Sequence, residues 1–424
     1  MLRRDLLLKA GAASGWLALG ASGAAWAAVG EPTGTAPRRL VVVFLRGAAD
    51  GLSVVVPYGD AAYYQARGSI ALAKPGAEGG VLDLDGHFGL HPSLAPLMPL
   101  WQAGKLGFVH ASGSPDATRS HFDAQDYMES ATPGRKATPD GWMNRALGAL
   151  PELARATPAR AVSIGAVMPR IYAGRHPVAN IASGQAATKP TVLDRPAVKS
   201  AFDQLYADDS DKTARAYKAS QQAHQEVMAA LEEGKEDTAS LSAQMLAANN
   251  GAPLPNGFPD DAARLAKLMR NDGRVQLAFL ALGGWDTHAN QGNARGQLAN
   301  RLAPLGTGLA ALANGLGPVF NDTAVVVMSE FGRTVNQNGN GGTDHGHGNV
   351  MWVMGGNVAG GKVLGAWPGL DKSALYEGRD LAVTTDFRQV LAGVLERHMR
   401  LSDGQLADVF PAFTGGASPA LFRA

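Results

Sequence analysis

Six short apolar runs punctuate this chain, and patterns of helical spacing lie between them. The runs are Leu40 to Leu45, Lys105 to Ala111, Ala161 to Ala166, Arg274 to Leu282, Ala324 to Met328 and Val350 to Met354, each bounded by polar or Gly/Pro segments. They read as short buried strands. Helical patterns cover Phe122 to Ser130, Gly141 to Leu150, Asp261 to Arg270, Gly296 to Leu316 and Asp386 to Met399. In the last of these, Phe387, Val390, Leu391, Val394 and Leu395 form one apolar stripe. Strands alternating with helices predict an α/β chain, a three-layer α/β/α sandwich whose mostly parallel central sheet is covered on both faces. No internal repeat interrupts the alternation.

From about Asp194 the character changes to charged and Ala/Gln-rich, with Phe202, Leu205, Tyr206, Tyr217, Val227 and Leu231 at helical intervals. A helical insertion over about 194–260 is expected. It ends at Gly251 to Asp261, GAPLPNGFPDD, where Pro and Gly break helices and Asp favours a new start. His224, alone in that charged stretch, reads as a solvated side chain.

The first residues carry an address. RRDLLLK at Arg3 to Lys9 precedes an uncharged Ala/Gly/Leu-rich stretch, and Ala25-Trp26-Ala27 offers small residues for cleavage. This reads as a twin-arginine signal over 1–27, recognised by the twin-arginine export machinery, with residues 28–424 as the exported domain. A periplasmic or secreted location follows, with metal taken up before export. Removing 1–27 takes away Arg3, Arg4, Lys9 and Asp5, so the formal charge falls from +1 to about −1. Nothing in such a balance suggests a nucleic-acid binder, and no second long apolar run offers a permanent membrane span. The absence of cysteine excludes disulfides, thiolate ligands and a cysteine nucleophile, which leaves His, Asp and Glu for any metal site.

The chemistry-bearing residues concentrate after two strands. AVVVMSEFGRTVNQNGNGGTDHGHGN at Ala324 to Asn349 runs a strand into Glu330 and then, past a Gly/Asn-rich loop, into Asp344, His345 and His347. In an α/β sheet, reactive groups sit in the crevice at the carboxyl ends of the strands. Side chains two apart on extended backbone share a face, so His345 and His347 can point at one ion while Gly346 lets the chain approach it. GGWDTH at Gly283 to His288 repeats the device, with Asp286 and His288 two apart after another apolar run. A ligating imidazole needs its other nitrogen held, a task open to Asp344 or Asp286.

These segments resemble a family, the exported bacterial proteins of the domain-of-unknown-function 1501 family, grouped with the alkaline phosphatase and sulfatase superfamily. The resemblance covers nearly the whole exported chain. It is carried by GAADGLSVVVPYGDAAYY at Gly47 to Tyr64, TRSHFDAQDYME at Thr118 to Glu129, GGWDTH, SEFGRT at Ser329 to Thr334 and GTDHGHG at Gly342 to Gly348. It implies an alkaline phosphatase-like fold, with an acid after the first strand, a Ser or Thr nucleophile, and later Asp and His groups around one or two divalent ions. Zinc, manganese, magnesium and calcium all remain open.

Carried onto this sequence, the resemblance makes Asp50 the early acidic ligand, with a turn acid as the alternative. Asp286, His288, Glu330, Asp344, His345 and His347 complete the expected metal set. Glu330 and Phe331 depart from the superfamily's Asp-His pair, and Glu330 could instead pair with Arg333. Ser120, just before a helical run, is the expected nucleophile, with a helix N-cap as its rival. His121 and Arg333 are expected to bind the oxyanion of the substrate. A formylglycine sulfatase is excluded, because Gly113 stands two residues before Pro115 where that motif needs Cys or Ser. The expected activity is hydrolysis of a phosphate or sulfate ester, small or polymeric, by metal-assisted attack of Ser120 or of metal-bound water. The rival is a non-catalytic exported protein that keeps the fold to bind metal or a partner.

Overall fold

The computed structural model describes residues 37–151, 157–184, 200, 202–204, 218 and 243–423. The expected signal 1–27 lies outside the described residues, as do 194–199, 201, 205–217 and 219–242 of the expected insertion. The unit that begins at Pro37 holds the described residues.

In chain order the strands are β1 (Arg39–Leu45), β2 (Val55–Val56), β3 (Leu82–Asp83), β4 (Gly89–Leu90), β5 (Leu106–Gly113) and β6 (Ala161–Ile164). They continue with β7 (Ala179–Ile181), β8 (Leu277–Leu282), β9 (Thr323–Ser329), β10 (Asn349–Gly355), β11 (Val363–Leu364) and β12 (Thr385–Asp386). Each of the six apolar runs is therefore a strand of the main sheet. That nine-stranded sheet has the order β11-β5-β10-β9-β1-β8-β6-β7, with β12 also on β5, and a small sheet β2-β4-β3 stands apart. All its pairings are parallel except those of β10, which is antiparallel to both β5 and β9.

Alternation along β1 explains the layers. Val41, Val43 and Leu45 pack on one face with the helices Phe258–Asn271 and Gln297–Leu316. Leu40, Val42 and Phe44 pack on the other with Trp142–Ala149 and Phe387–Arg397. Successive side chains of a strand point to opposite faces, so a strand apolar at every position needs helices on both sides. Each such side chain removed from water contributes about 1.5–3 kcal/mol.

Register and direction place the loops. Leu45 of β1 pairs with Leu282 of β8 and with Ser329 of β9, so the chain leaves all three strands at one edge, side by side. Because β10 runs antiparallel to β9, the segment between them needs no crossover helix and can remain at that edge as a loop. The loop is 330–348. Gly283–His288 and Glu330–Gly348 consequently meet over the carboxyl end of β1.

The expected helical insertion is described mainly at its end, from 243 onward. There the helix Ala243–Asn249 packs beside the edge, with the Asn249 side chain accepting the Gly284 amide at 2.6 Å. Among the described residues, no helix is long and apolar enough to cross a membrane.

Candidate metal centre

Two loops and one helix start build the site. In GGWDTH, Trp285 is fully buried in the core and donates its indole N–H to Leu282 O at 2.9 Å, which anchors the loop and leaves Asp286 and His288 to project from it. Gly47 crosses beneath at φ +113, where a Cβ would lie 2.8 Å from the Asp286 nitrogen, so only glycine permits this crossing. His121 opens the helix His121–Ser130, whose N-cap is Ser120. His345 arrives on the 330–348 loop, bridged to Arg333.

Ligand atoms of His121, Asp286 and His345 lie within 4.8 Å of one another. His121 Nε2 is 3.0 Å from His345 Nε2, while Asp286 Oδ1 is 3.3 Å from His345 Nε2 and 3.6 Å from His121 Nε2. Ligand atoms held about 2.0–2.1 Å from a four-coordinate zinc lie roughly 3.3–3.4 Å apart, so this triangle has the size of one face of such a shell. His288 flanks it, with Nε2 3.0 Å from Asp286 Oδ1 and 3.0 Å from His345 Nε2.

The far side of every ring is occupied by an acceptor. His121 Nδ1 faces Glu330 Oε1 at 2.8 Å, His345 Nδ1 faces Arg119 O at 2.9 Å and His288 Nδ1 faces Asp344 Oδ1 at 3.1 Å. Carbonyl and carboxylate oxygens only accept, so each Nδ1 carries the hydrogen and each neutral ring turns a lone pair inward. Lone pairs of nitrogen meeting at 3.0 Å repel unless something positive lies between them. Imidazole nitrogens with one carboxylate oxygen suit a divalent transition ion, and an anchored second nitrogen is the usual support of a ligating histidine.

Charges agree with that polarity. Burial works against the Asp286 carboxylate, but the facing His121, His288 and His345 rings, with the charge of Arg333, hold its carboxyl far below the usual range. Burial likewise opposes a charged His121, yet bonds to Asp286 and Glu330 outweigh it and raise its pKa to about 9. Glu330, fully buried, is kept ionised against desolvation chiefly by His121, and also accepts from Gly47 N at 2.8 Å and Gln125 Nε2 at 3.0 Å. Without metal, a proton on His121 takes the place of the cation.

A pH dependence follows. Below about 9, ion binding displaces the proton of His121, so apparent affinity is expected to rise about tenfold per pH unit up to that value. The metal-free fold behaves oppositely. His121 has a folded pKa raised from 6.5 to about 9, so its contribution to stability is complete below about 6.5 and is lost as pH rises through about 9. Zinc titrations and thermal melts of chelator-treated protein across that window check both signs; a flat affinity would contradict the first.

The sequence profile of proteins of unknown function DUF1501 matches residues 37–410. The chain belongs to this family. No curated protein matches it. Among solved structures it is similar to the zinc complex of the C-terminal periplasmic domain of EcEptC from Escherichia coli, at 11% identity and TM-score 0.36, covering 76% of this chain and 73% of that one. Ps i-CgsB with a bound neocarrahexaose matches at 12% identity and TM-score 0.33, covering 78% and 69%. The alkaline phosphatase from the Antarctic bacterium TAB5 matches at 11% and 0.29, covering 76% and 92%.

This DUF1501 chain brings together Asp286, His288 and His345 of the residues expected to hold metal, and adds His121, expected on the substrate. Glu330 stands one step back, on the far nitrogen of His121, and Asp344 stands behind His288. His347 turns elsewhere, because the chain bends there: its Nε2 meets Ser114 O at 2.9 Å and its ring packs on Tyr376. Gly346 serves a different close approach from the one expected, since a Cβ there would collide with the Arg333 backbone. Asp50 is enclosed by Arg67, Ser53 and Gln291, with none of the clustered histidines among its partners.

Arg333 is fully buried, and each of its nitrogens already donates to the protein: to Ala48 O, Thr343 O, Gly47 O, Trp285 O and, at 2.5 Å, Asp286 Oδ1. It therefore fastens Asp286 to the backbone around it. Ser120 is exposed, and its Oγ accepts Asp123 N at 3.4 Å as an N-cap. Two contributors escaped the sequence reading. Phe331 stacks on His121 at 5.0 Å between ring centroids and leans on His345 at 5.1 Å, walling the site. Arg119 contributes its carbonyl, which no side-chain pattern can signal.

Proposed function

We propose that this protein is an exported, metal-dependent hydrolase of phosphate or sulfate esters. The observation that carries the proposal is the inward convergence of three imidazole nitrogens on one carboxylate oxygen, each ring anchored from behind. His121, Asp286 and His345 hold the ion, and His288 flanks it on the side open to solvent, where its side chain is 38% exposed. The nitrogen-rich set favours zinc over calcium, magnesium and manganese, which prefer oxygen ligands. When bound, the ion supplies a Lewis acid for an ester oxygen. Glu330, Asp344 and the Arg119 carbonyl orient the rings, and Arg333 keeps Asp286 charged and aimed.

Ser120 is the proposed nucleophile. It precedes the ligand His121 directly, at a helix N-terminus whose amides favour an anion, and as a cap its oxygen accepts while its own proton is uncommitted. Its attack forms a serine ester and releases the alcohol; water then frees the acid. The substrate class comes from the resemblance to the DUF1501 family, which is grouped with the alkaline phosphatase and sulfatase superfamily. A second reading, a non-catalytic protein that binds metal or a partner, is favoured by Phe331 in place of a ligating histidine and by the capping bond of Ser120.

Assays with nitrophenyl phosphate and nitrophenyl sulfate at full zinc or manganese occupancy separate the two. The expected result is turnover that falls at least about a hundredfold in Ser120→Ala without metal loss. Silence over a broad ester panel, with metal bound, selects the non-catalytic reading.

A further inference from the structure

Behind the ligand loops lies a second polar cluster that the proposed chemistry does not use. Asp50, Ser53, Arg67, Thr287, Gln291 and Thr343 are all buried, at 0–1% exposure. Asp50 Oδ2 accepts from Ser53 Oγ at 2.8 Å, from Gln291 Nε2 at 2.7 Å and from the Arg67 guanidinium. A carboxylate paired with arginine has no hydrogen to give, so the nitrogen of the Gln291 amide must face it and the amide oxygen must face away. That oxygen accepts Thr287 Oγ1 at 2.8 Å and Thr343 Oγ1 at 3.0 Å.

The two threonines are the point of contact with the site. Thr287 lies between Asp286 and His288, and Thr343 immediately precedes Asp344 and His345. One amide oxygen thus joins the two loops that carry the inward-facing groups, and Thr343 N to Thr287 O, at 3.2 Å, closes the same seam. Arg67 ties in the third segment: it donates to Thr334 O at 3.2 Å, and Thr334 Oγ1 accepts the Asp344 amide at 3.1 Å.

We infer that Gln291, its amide direction set by the Asp50–Arg67 pair, is a positioning residue that fixes the gap between the Asp286–His288 and Asp344–His345 loops and so tunes affinity for the ion. The affinity part rests on the metal reading above; the loop spacing does not. Asp50 in this arrangement acts through Gln291 and not as a ligand.

The test uses the full chain with two readouts, zinc titration after chelator treatment and hydrogen exchange of the metal-free protein. Gln291→Leu keeps similar volume and removes the bonds to Asp50, Thr287 and Thr343. It is expected to weaken zinc binding about 10–100-fold with unchanged stoichiometry at saturation. Exchange is expected to quicken in 284–292 and 341–347 and to stay as in wild type in β1. Thr343→Val, a smaller change that leaves the Asp50–Gln291 bond, is expected to act in the same direction with smaller size, and serves should Gln291→Leu misfold. Unchanged exchange in both loops overturns the inference whatever the metal result. Reduced stoichiometry at saturation would overturn it too, by making the cluster a ligand shell. Wild type that takes up no zinc would sink the metal reading, while the exchange data still decide the spacing.

Discussion

Replacing His345 by alanine is expected to leave a folded chain that no longer retains its divalent ion. His345 Nε2 is the shared vertex of the cluster, 3.0 Å from both His121 and His288 and 3.3 Å from Asp286. Its loss removes a ligand common to both sides of the site, so no neighbour can substitute without moving a loop. The structural cost is small by comparison. The ring is partly exposed and makes one anchoring hydrogen bond, to Arg119 O, worth about 1 kcal/mol. Elemental analysis with circular dichroism reads both quantities. Equal metal in wild type and variant would remove His345 from the site.

Arg333→Met is expected to produce the largest loss of stability. The guanidinium is fully buried and is the common donor to four backbone carbonyls and Asp286, so it joins the β1 loop, GGWDTH and the 343 segment. Removing one partner of a buried pair leaves an uncompensated charge and unsatisfied carbonyls, at a cost of about 3–5 kcal/mol. Metal is expected to restore part of it, because an ion also compensates Asp286. Urea unfolding with and without zinc measures both effects. If Arg333→Met kept wild-type stability and changed only substrate affinity, the anion-binding role read from sequence would stand in place of the fastening role.

Much of the architecture was legible because strand and helix periodicities are local. Leu40 to Leu45 is apolar at every position, which already demands cover on two faces, and the stripe Phe387, Val390, Leu391, Val394 and Leu395 already marks one covering helix. The location of the chemistry was legible for a related reason. Acids and histidines that follow buried strands collect where strands end, as Asp286 after β8 and Glu330 after β9 do.

What each of those residues touches was not legible. His345 and His347 share a motif, yet a bend sends one to Asp286 and the other to Ser114 O. Glu330 and His121 are separated by more than two hundred positions, and only the packed sheet sets the carboxylate against the ring's outer nitrogen. Phe331 reads as a lost ligand in the chain and as a wall in the fold.

Read alone, the amino-acid order determined a layered α/β chain with its polar chemistry at one sheet edge, since alternation, spacing and strand termination are properties of neighbours in sequence. Tertiary structure alone decided which groups face the candidate cation and which stand behind them. That division arises because ligand direction depends on how separate loops cross, and crossings such as Gly47 beneath Asp286, or Gln291 between Thr287 and Thr343, exist only once the sheet has brought distant segments together.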